Sequence, residues 1–172
     1  MKGIIVVKAH RCMACKSCEL ACAVEHSSSQ ILEEAVAEYP RPSSRVKVKS
    51  GEGFAIPLQC RQCEDAPCVA VCPTNALYRD NPDSPVIMDQ ERCIGCKWCV
   101  LACPFGVIRL DEKARTIIKC DQCIERLNRG EMPACVSSCP TGALEFKCME
   151  DIISEKREAF LLQIKSSFGE EK

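Results

Sequence analysis

Residues 93–104 read C-I-G-C-K-W-C-V-L-A-C-P, with thiols at Cys93, Cys96, Cys99 and Cys103. Thiolates are soft ligands for iron and zinc, and the C-x2-C-x2-C-x3-C-P run is a ligand loop for Fe4S4 clusters. Cys93, Cys96 and Cys99 can wrap one side of a cube and hold three of its irons. Cys103 stands one helical turn beyond Cys99, and in chains with two clusters the cysteine at that place ligates the other cluster. Pro104 keeps the turn from continuing. A cube with four thiolates leaves no iron open to substrate, so its chemistry is the movement of single electrons.

The run is one of four. Cys12, Cys15, Cys18 and Cys22 form the first group, Cys60, Cys63, Cys68 and Cys72 the second, Cys93, Cys96, Cys99 and Cys103 the third, and Cys120, Cys123, Cys135 and Cys139 the fourth. In each, the first two cysteines are three apart and the last two are four apart, while the middle gap varies. Constant ends and a variable middle imply that both ends meet metal and that the middle is a loop free to grow. The last three groups also share their exit, C-P-T-N-A-L, C-P-F-G-V-I and C-P-T-G-A-L, so the repeat is larger than its ligands. After Cys22 the chain reads A-V-E-H instead, which can continue a helix.

The elements that must hold these groups are short. A β-branched run at residues 4–7 reads as a strand, and residues 30–38 have helical composition up to Pro40 and Pro42. Residues 45–49 and 54–58 read as a hairpin around the glycines 51 and 53, and 85–89 as a strand after an N-P-D-S-P turn. Residues 107–110 and 116–119 make a matching hairpin around 111–113. From Met149 apolar residues recur at helical spacing, Met149, Ile153, Phe160, Ile164 and Phe168, with charges between them, which predicts an amphipathic helix over 149–172. It either packs on its own chain or docks a partner.

Composition narrows the classes. Seventeen cysteines in 172 residues would suit a disulfide scaffold. That rule belongs to small secreted chains, and the first ten residues offer only a four-residue apolar run, far short of a secretion signal. No run approaches membrane-spanning length, so a soluble, cytoplasmic chain is expected. With only eight aromatics, inorganic clusters must replace part of the organic core. Four clusters of about −2 each would take the formal charge of −1 to roughly −9, which opposes a nucleic-acid partner.

Structural zinc competes for any C-x2-C pair, but zinc sites do not call for three cysteines at successive x2 spacings closed by a C-P turn. Cys148 lies outside every group and is expected to be a small buried residue at the start of the last helix. His10 and His26 flank the first group without a partner at ligand spacing and are expected to be structural or exposed. Lys16 and Lys97 follow the second cysteine of their groups; a cation there would raise a cluster's potential, and a solvated lysine would look the same. Trp98 could shield a cluster or simply pack in a core. No glycine-rich dinucleotide fingerprint, nucleophile elbow or phosphate loop accompanies the cysteines, so a chain without its own catalytic site is expected.

Across residues 6–146 the chain resembles the ferredoxin-like subunits with four [4Fe-4S] clusters that transfer electrons for molybdopterin oxidoreductases, hydrogenases and carbon monoxide dehydrogenases. The resemblance rests on the sixteen grouped cysteines and on C-R-Q-C-E-D-A-P-C-V-A-V-C-P-T-N-A-L at residues 60–77. Within that family, C-K-S-C-E-L-A-C-A-V-E-H-S at 15–27 looks most like the iron–sulfur subunit associated with carbon monoxide dehydrogenase. The resemblance implies an α+β fold of two ferredoxin-like modules, each binding two clusters, with short hairpins and a C-terminal helix. Residues 1–29 with 112–148 would be the first module, 30–56 an inserted helix and hairpin, 57–111 the second module and 149–172 the terminal helix. It further implies four ligand sets: Cys12, Cys15, Cys18 with Cys139; Cys22 with Cys120, Cys123, Cys135; Cys60, Cys63, Cys68 with Cys103; and Cys72 with Cys93, Cys96, Cys99. The spacings alone would also let the third and fourth groups pair. The implied donor is carbon monoxide dehydrogenase or another redox enzyme, and the acceptor a hydrogenase or reductase, in the cytoplasm or at the inner face of the membrane through a partner.

Anaerobic analysis should therefore find about sixteen irons and about sixteen sulfides per chain. Cys103→Ser should damage the cluster of the second group as well as its own loop, and Cys148→Ser should leave all four intact. Loss of a cluster in the Cys148 variant, or a zinc-dominated preparation, would overturn this ligand assignment.

Overall fold

The computed structural model describes residues 3–111 and 115–169. In chain order it runs β1 (Ile4–Val7), a 3-10 turn (Ala9–Arg11), α1 (Ser17–Glu25), α2 (Leu32–Ala35), β2 (Lys47–Gly51), β3 (Phe54–Leu58), α3 (Pro67–Ala70), β4 (Leu77–Tyr78) and β5 (Ile87–Met88). It continues through α4 (Trp98–Ala102), β6 (Arg109–Leu110), β7 (Ile117–Ile118), α5 (Ile124–Asn128), α6 (Ala134–Ser137), β8 (Leu144–Lys147) and α7 (Met149–Gly169). The strands form two-stranded antiparallel ribbons, β1 with β8, β2 with β3, β4 with β5 and β6 with β7.

Two apolar cores sit among these pieces. Ile5, Val46 and Leu144 pack with Cys18, Cys22 and Cys135 in the first, and Leu77, Val86, Ile108 and Ile117 with Cys68 and Cys99 in the second. Each core thus joins two cysteine groups, the first with the fourth and the second with the third. Helices pair the same way, α1 against α6 and α3 against α4. The β1–β8 ribbon, with Ile5 opposite Phe146 and Val7 opposite Leu144, closes the first core using both ends of the cluster-bearing chain.

β1 and β3 have the expected bounds, and the other expected elements are present but shorter or shifted. The helix expected over residues 30–38 is reduced to Leu32–Ala35. Gln30 is left-handed at φ 57°, and the Glu38 carboxylate accepts bonds from the backbone N–H groups of Ser28 and Ser29, folding the segment back on itself. The first hairpin starts at Lys47, not 45, because the Arg45 N–H donates to the sulfur of Cys22 at 3.1 Å. The strand over 85–89 contracts to Ile87–Met88, and the second hairpin contracts to β6 and β7. Asp111 starts its turn, with its N–H on the Thr116 carbonyl and its carboxylate accepting from the Thr116 N–H; residues 112 and 113 lie outside the described residues. As the exit of the first group suggested, α1 runs on past Cys22 to Glu25.

The terminal helix is present from Met149 to Gly169, and 170–172 lie outside the described residues. Of the residues in its expected apolar stripe only Ile164 is half-buried; Met149, Ile153, Phe160 and Phe168 are exposed, as are Leu161 and Leu162. Packing on its own chain is therefore not what this helix does, and an ion pair from Glu155 to Lys147 ties down its first turns.

Gly95, at φ 68° between two thiols of the third group, would drive a Cβ into the Arg115 carbonyl oxygen. Gly106, at φ 59°, faces open space. Gly106→Ala should cost only the left-handed strain of about 1–2 kcal/mol, whereas Gly95→Ala must also push a cluster loop off β7's approach. Iron release to a chelator should be roughly tenfold faster or more in Gly95→Ala than in Gly106→Ala.

Candidate metal centres

Every group opens on the same backbone device. The residue before the second cysteine is left-handed in all four: Ala14, Gln62, Gly95 and Gln122, at φ 59°, 53°, 68° and 59°. This curls the loop so that N–H groups turn inward. The N–H of Gln62 points at the Cys60 sulfur and that of Gln122 at the Cys120 sulfur, each at 3.4 Å. Only Gly95 announces the conformation in the sequence; at the other three the loop imposes it on ordinary side chains, against the usual steric preference.

The third cysteine of each group is buried on a short helix, Cys18 on α1, Cys68 on α3, Cys99 on α4 and Cys135 on α6. The C-P exits then turn in one way. Asn75, Gly106 and Gly142 are left-handed, and their N–H groups bond back to the carbonyls of Cys72, Cys103 and Cys139. Asn and Gly are the residues that adopt this conformation at least cost, which explains the T-N, F-G and T-G pairs after each proline. Thr74 and Thr141 hydroxyls stand 3.8 Å from the sulfurs of Cys72 and Cys139.

These loops converge. One cavity is lined by Cys72, Cys93, Cys96 and Cys99, with Leu77, Met88 and Ile117 on its walls. A second is lined by Cys60, Cys63, Cys68 and Cys103, with Val86, Ile108 and Lys119. In the first core, burial pushes the Cys135 thiol well up, and repulsion from Cys120, Cys22 and Cys123 adds to it. Burial likewise raises Cys123 to about 12, with Cys22 again among the repelling groups, and raises Cys18 to about 11, with Cys139 and Cys15 repelling. Buried thiols that resist ionisation side by side are suited to a multiply charged metal centre, which displaces their protons. Cys15 and Cys96 are exposed.

Polar side chains outside the sequence motifs support the thiols. His26, one turn after Cys22 on the end of α1, bonds the Cys22 carbonyl at 2.7 Å and stands 3.7 Å from its sulfur. Its other nitrogen faces Asp121 at 3.2 Å, and Arg45 pairs with the same carboxylate at 2.5 Å. Burial opposes the charge on His26, but the bonds to Asp121 and Cys22 raise it to about 10; burial opposes Asp121 too, yet His26 and Arg45 hold it far below the usual carboxylate range. Arg79 clamps the second group's loop through the carbonyls of Gln62 and Cys63. Gln59 is buried with both amide atoms unpaired among the described residues, a feature that a sulfur-rich centre beside Cys60 could satisfy. His26 thus takes the expected structural role, and His10, Lys16 and Lys97 are exposed. Two expectations are corrected: Trp98, at 59% exposure, does not join a core, because it opens α4 on the solvent side; and Cys148 is half-buried, because it lies at the junction of β8 with the terminal helix.

The 4Fe-4S dicluster domain family matches residues 52–149, and a second 4Fe-4S binding domain family matches 9–25. The chain belongs to the 4Fe-4S dicluster family. An iron–sulfur protein of Rhodospirillum rubrum is 40% identical over 95% of this chain and 92% of its own. Electron transport protein HydN of Escherichia coli is 37% identical over 91% and 96%, and the thiosulfate reductase electron transfer subunit PhsB of Salmonella typhi 39% over 82% and 73%. This dicluster protein is an electron-transfer iron–sulfur protein, and its cofactors are four [4Fe-4S] clusters. Eight of the sixteen grouped thiols pack in the two cores, Cys18, Cys22, Cys135 and Cys139 in one and Cys68, Cys72, Cys99 and Cys103 in the other, and this soft donor set fits them. No helix among the described residues is long and apolar enough to cross a membrane.

Removing Asp121 would strand the partly buried cations of His26 and Arg45 and free the Cys123 N–H that its carboxylate accepts at 3.0 Å. Asp121→Ala should lower the stability of the loaded protein by about 3 kcal/mol. An anaerobic urea titration should show it as a lower midpoint for loss of visible absorption, with Asp121→Asn falling between the two.

Proposed function

We propose that this dicluster protein is a relay without its own catalytic site, carrying electrons from carbon monoxide dehydrogenase to a hydrogenase or another reductase. The observation that carries the relay is the gathering of thiols without a competing constellation. Among the described residues the one further metal-capable group, His26, Asp121 and Cys123, shares a thiol with the fourth cysteine group. Four ligand sets are proposed: Cys12, Cys15, Cys18 with Cys139; Cys22 with Cys120, Cys123, Cys135; Cys60, Cys63, Cys68 with Cys103; and Cys72 with Cys93, Cys96, Cys99. The two cavities and the mutual repulsion around Cys135 support this arrangement over a pairing of the third group with the fourth. Two modules follow, residues 1–29 with 112–148 and residues 57–111, with 30–56 inserted between them and 149–172 appended.

When bound, the clusters supply one-electron transfer between sites of tunable potential. The chain's own part is to hold them. Left-handed loops aim N–H groups at sulfur, buried helices fix the third thiol, and apolar walls exclude water. The exposed thiols Cys15 and Cys96 belong to different modules in this scheme, which places an accessible ligand on each for a donor and an acceptor. The protein would work in the cytoplasm or at the inner face of the membrane through a partner.

The resemblance of residues 15–27 favours carbon monoxide dehydrogenase as donor. A second assignment, a subunit of a molybdopterin reductase or of a formate dehydrogenase or hydrogenase complex, is supported by the relative named as an electron transfer subunit of thiosulfate reductase. Mixing the loaded protein with carbon monoxide dehydrogenase under carbon monoxide should bleach its visible absorption rapidly at near-stoichiometric concentration. Bleaching no faster than that of an unrelated two-cluster ferredoxin, with no complex formed, would remove that donor and leave the relay in place.

A further inference from the structure

Lys119 is the one lysine buried in either core region among the described residues, with 5% of its surface exposed. It follows β7 and precedes Cys120. Its ammonium donates to the carbonyls of Val86 at 2.7 Å and Cys120 at 2.8 Å. No acid pairs with it among the described residues. A lysine buried without a counter-charge is costly and normally avoided. Something in its surroundings must be negative.

Its position says what that is. Lys119 stands in the wall of the cavity lined by Cys60, Cys63, Cys68 and Cys103, while its own backbone runs directly into Cys120 of the other core. Gln62 completes the junction. Its amide nitrogen donates to the same Cys120 carbonyl at 3.0 Å, its amide oxygen accepts from the Val86 N–H at 2.8 Å, and its backbone N–H points at the Cys60 sulfur. Gln62 and Lys119 therefore both bridge Val86 and Cys120, in a closed ring between the loop of the second cysteine group and the loop of the fourth. The two carbonyls take two of the ammonium's three N–H donors; the third has no partner among the described residues.

We propose that Lys119 is a shared counter-charge between the two clusters that face each other across the module junction, held by Cys60, Cys63, Cys68, Cys103 and by Cys22, Cys120, Cys123, Cys135. It raises the potential of both and so sets the step by which an electron crosses between modules. The proposal rests on the ligand sets given above. It makes Lys119 a positioning residue that acts through the clusters by its charge, with Gln62 fixing where that charge sits.

The test is an anaerobic redox titration, followed by electron paramagnetic resonance, of the loaded wild type, Lys119→Gln and Lys119→Arg, each with its iron counted. Lys119→Gln keeps a donor and removes the charge; Lys119→Arg keeps the charge. In Lys119→Gln two of the four midpoints should fall, each by about tenfold in the reduction equilibrium, which is about 59 mV for one electron, while the other two stay and Lys119→Arg restores the pair. Unchanged potentials with four clusters present, a shift in one cluster only, or an equal shift in all four would overturn the proposal. Under-loading in Lys119→Gln that Lys119→Arg repairs would support it, and equal under-loading in both would reduce Lys119 to packing and overturn it. Failure of the ligand sets is distinguishable, since it would appear in Cys103→Ser as a second-group cluster left undisturbed, whatever Lys119 does.

Discussion

Thiolates repel one another, and this chain gathers them in its interior. Two unit charges about 6 Å apart at an effective dielectric of about 20 repel by about 3 kcal/mol, and several such pairs meet around Cys135. Protonated, the thiols are small apolar side chains; ionised, they need a compensating centre of high positive charge. Much of the apolar core of this protein consists of such groups. Short ribbons of two to five residues per strand and, before the terminal helix, helices of four to nine residues could not hold a fold by their own burial. They are brackets around metal, and the geometry of each bracket is set by what the sulfurs must reach.

That dependence explains which parts were legible in the residues. Ligand spacing is a local, rigid property, so the four cysteine groups and the helical continuation after Cys22 could be read directly. The C-P-x-N/G exits were visible as a repeat, although their common left-handed turn at Asn75, Gly106 and Gly142 becomes plain only in the backbone. Strand ends were less legible because sulfur competes for their hydrogen bonds, as the Arg45 N–H shows. β4 and β8 were missed altogether. Leu77–Tyr78 is too short to carry an alternating pattern, and Leu144–Lys147 finds its partner at the far end of the chain.

The polar support was the hardest to foresee. His26, Asp121 and Arg45 come from three separate stretches and form one charged knot beside Cys22. Gln62 and Lys119 sit in ordinary-looking positions next to ligands. Their signal lies in burial combined with the lack of an acid, and sequence spacing does not record burial. Only C-x-Q-C, present at both Cys60 and Cys120, hinted that the two loops are built alike.

The β1–β8 ribbon carries a consequence for synthesis. The buried members of the second core, from Cys68 to Ile117, are all synthesised before Leu144, whereas the first core cannot seal until β8 reaches back to β1. At about 5–20 residues per second, the interval between Ile117 and Leu144 is about 1–5 s. For that time the first core lacks the strand that closes it. The order of synthesis thus leaves Cys12, Cys15, Cys18 and Cys22 without the rest of their core until the chain is nearly complete.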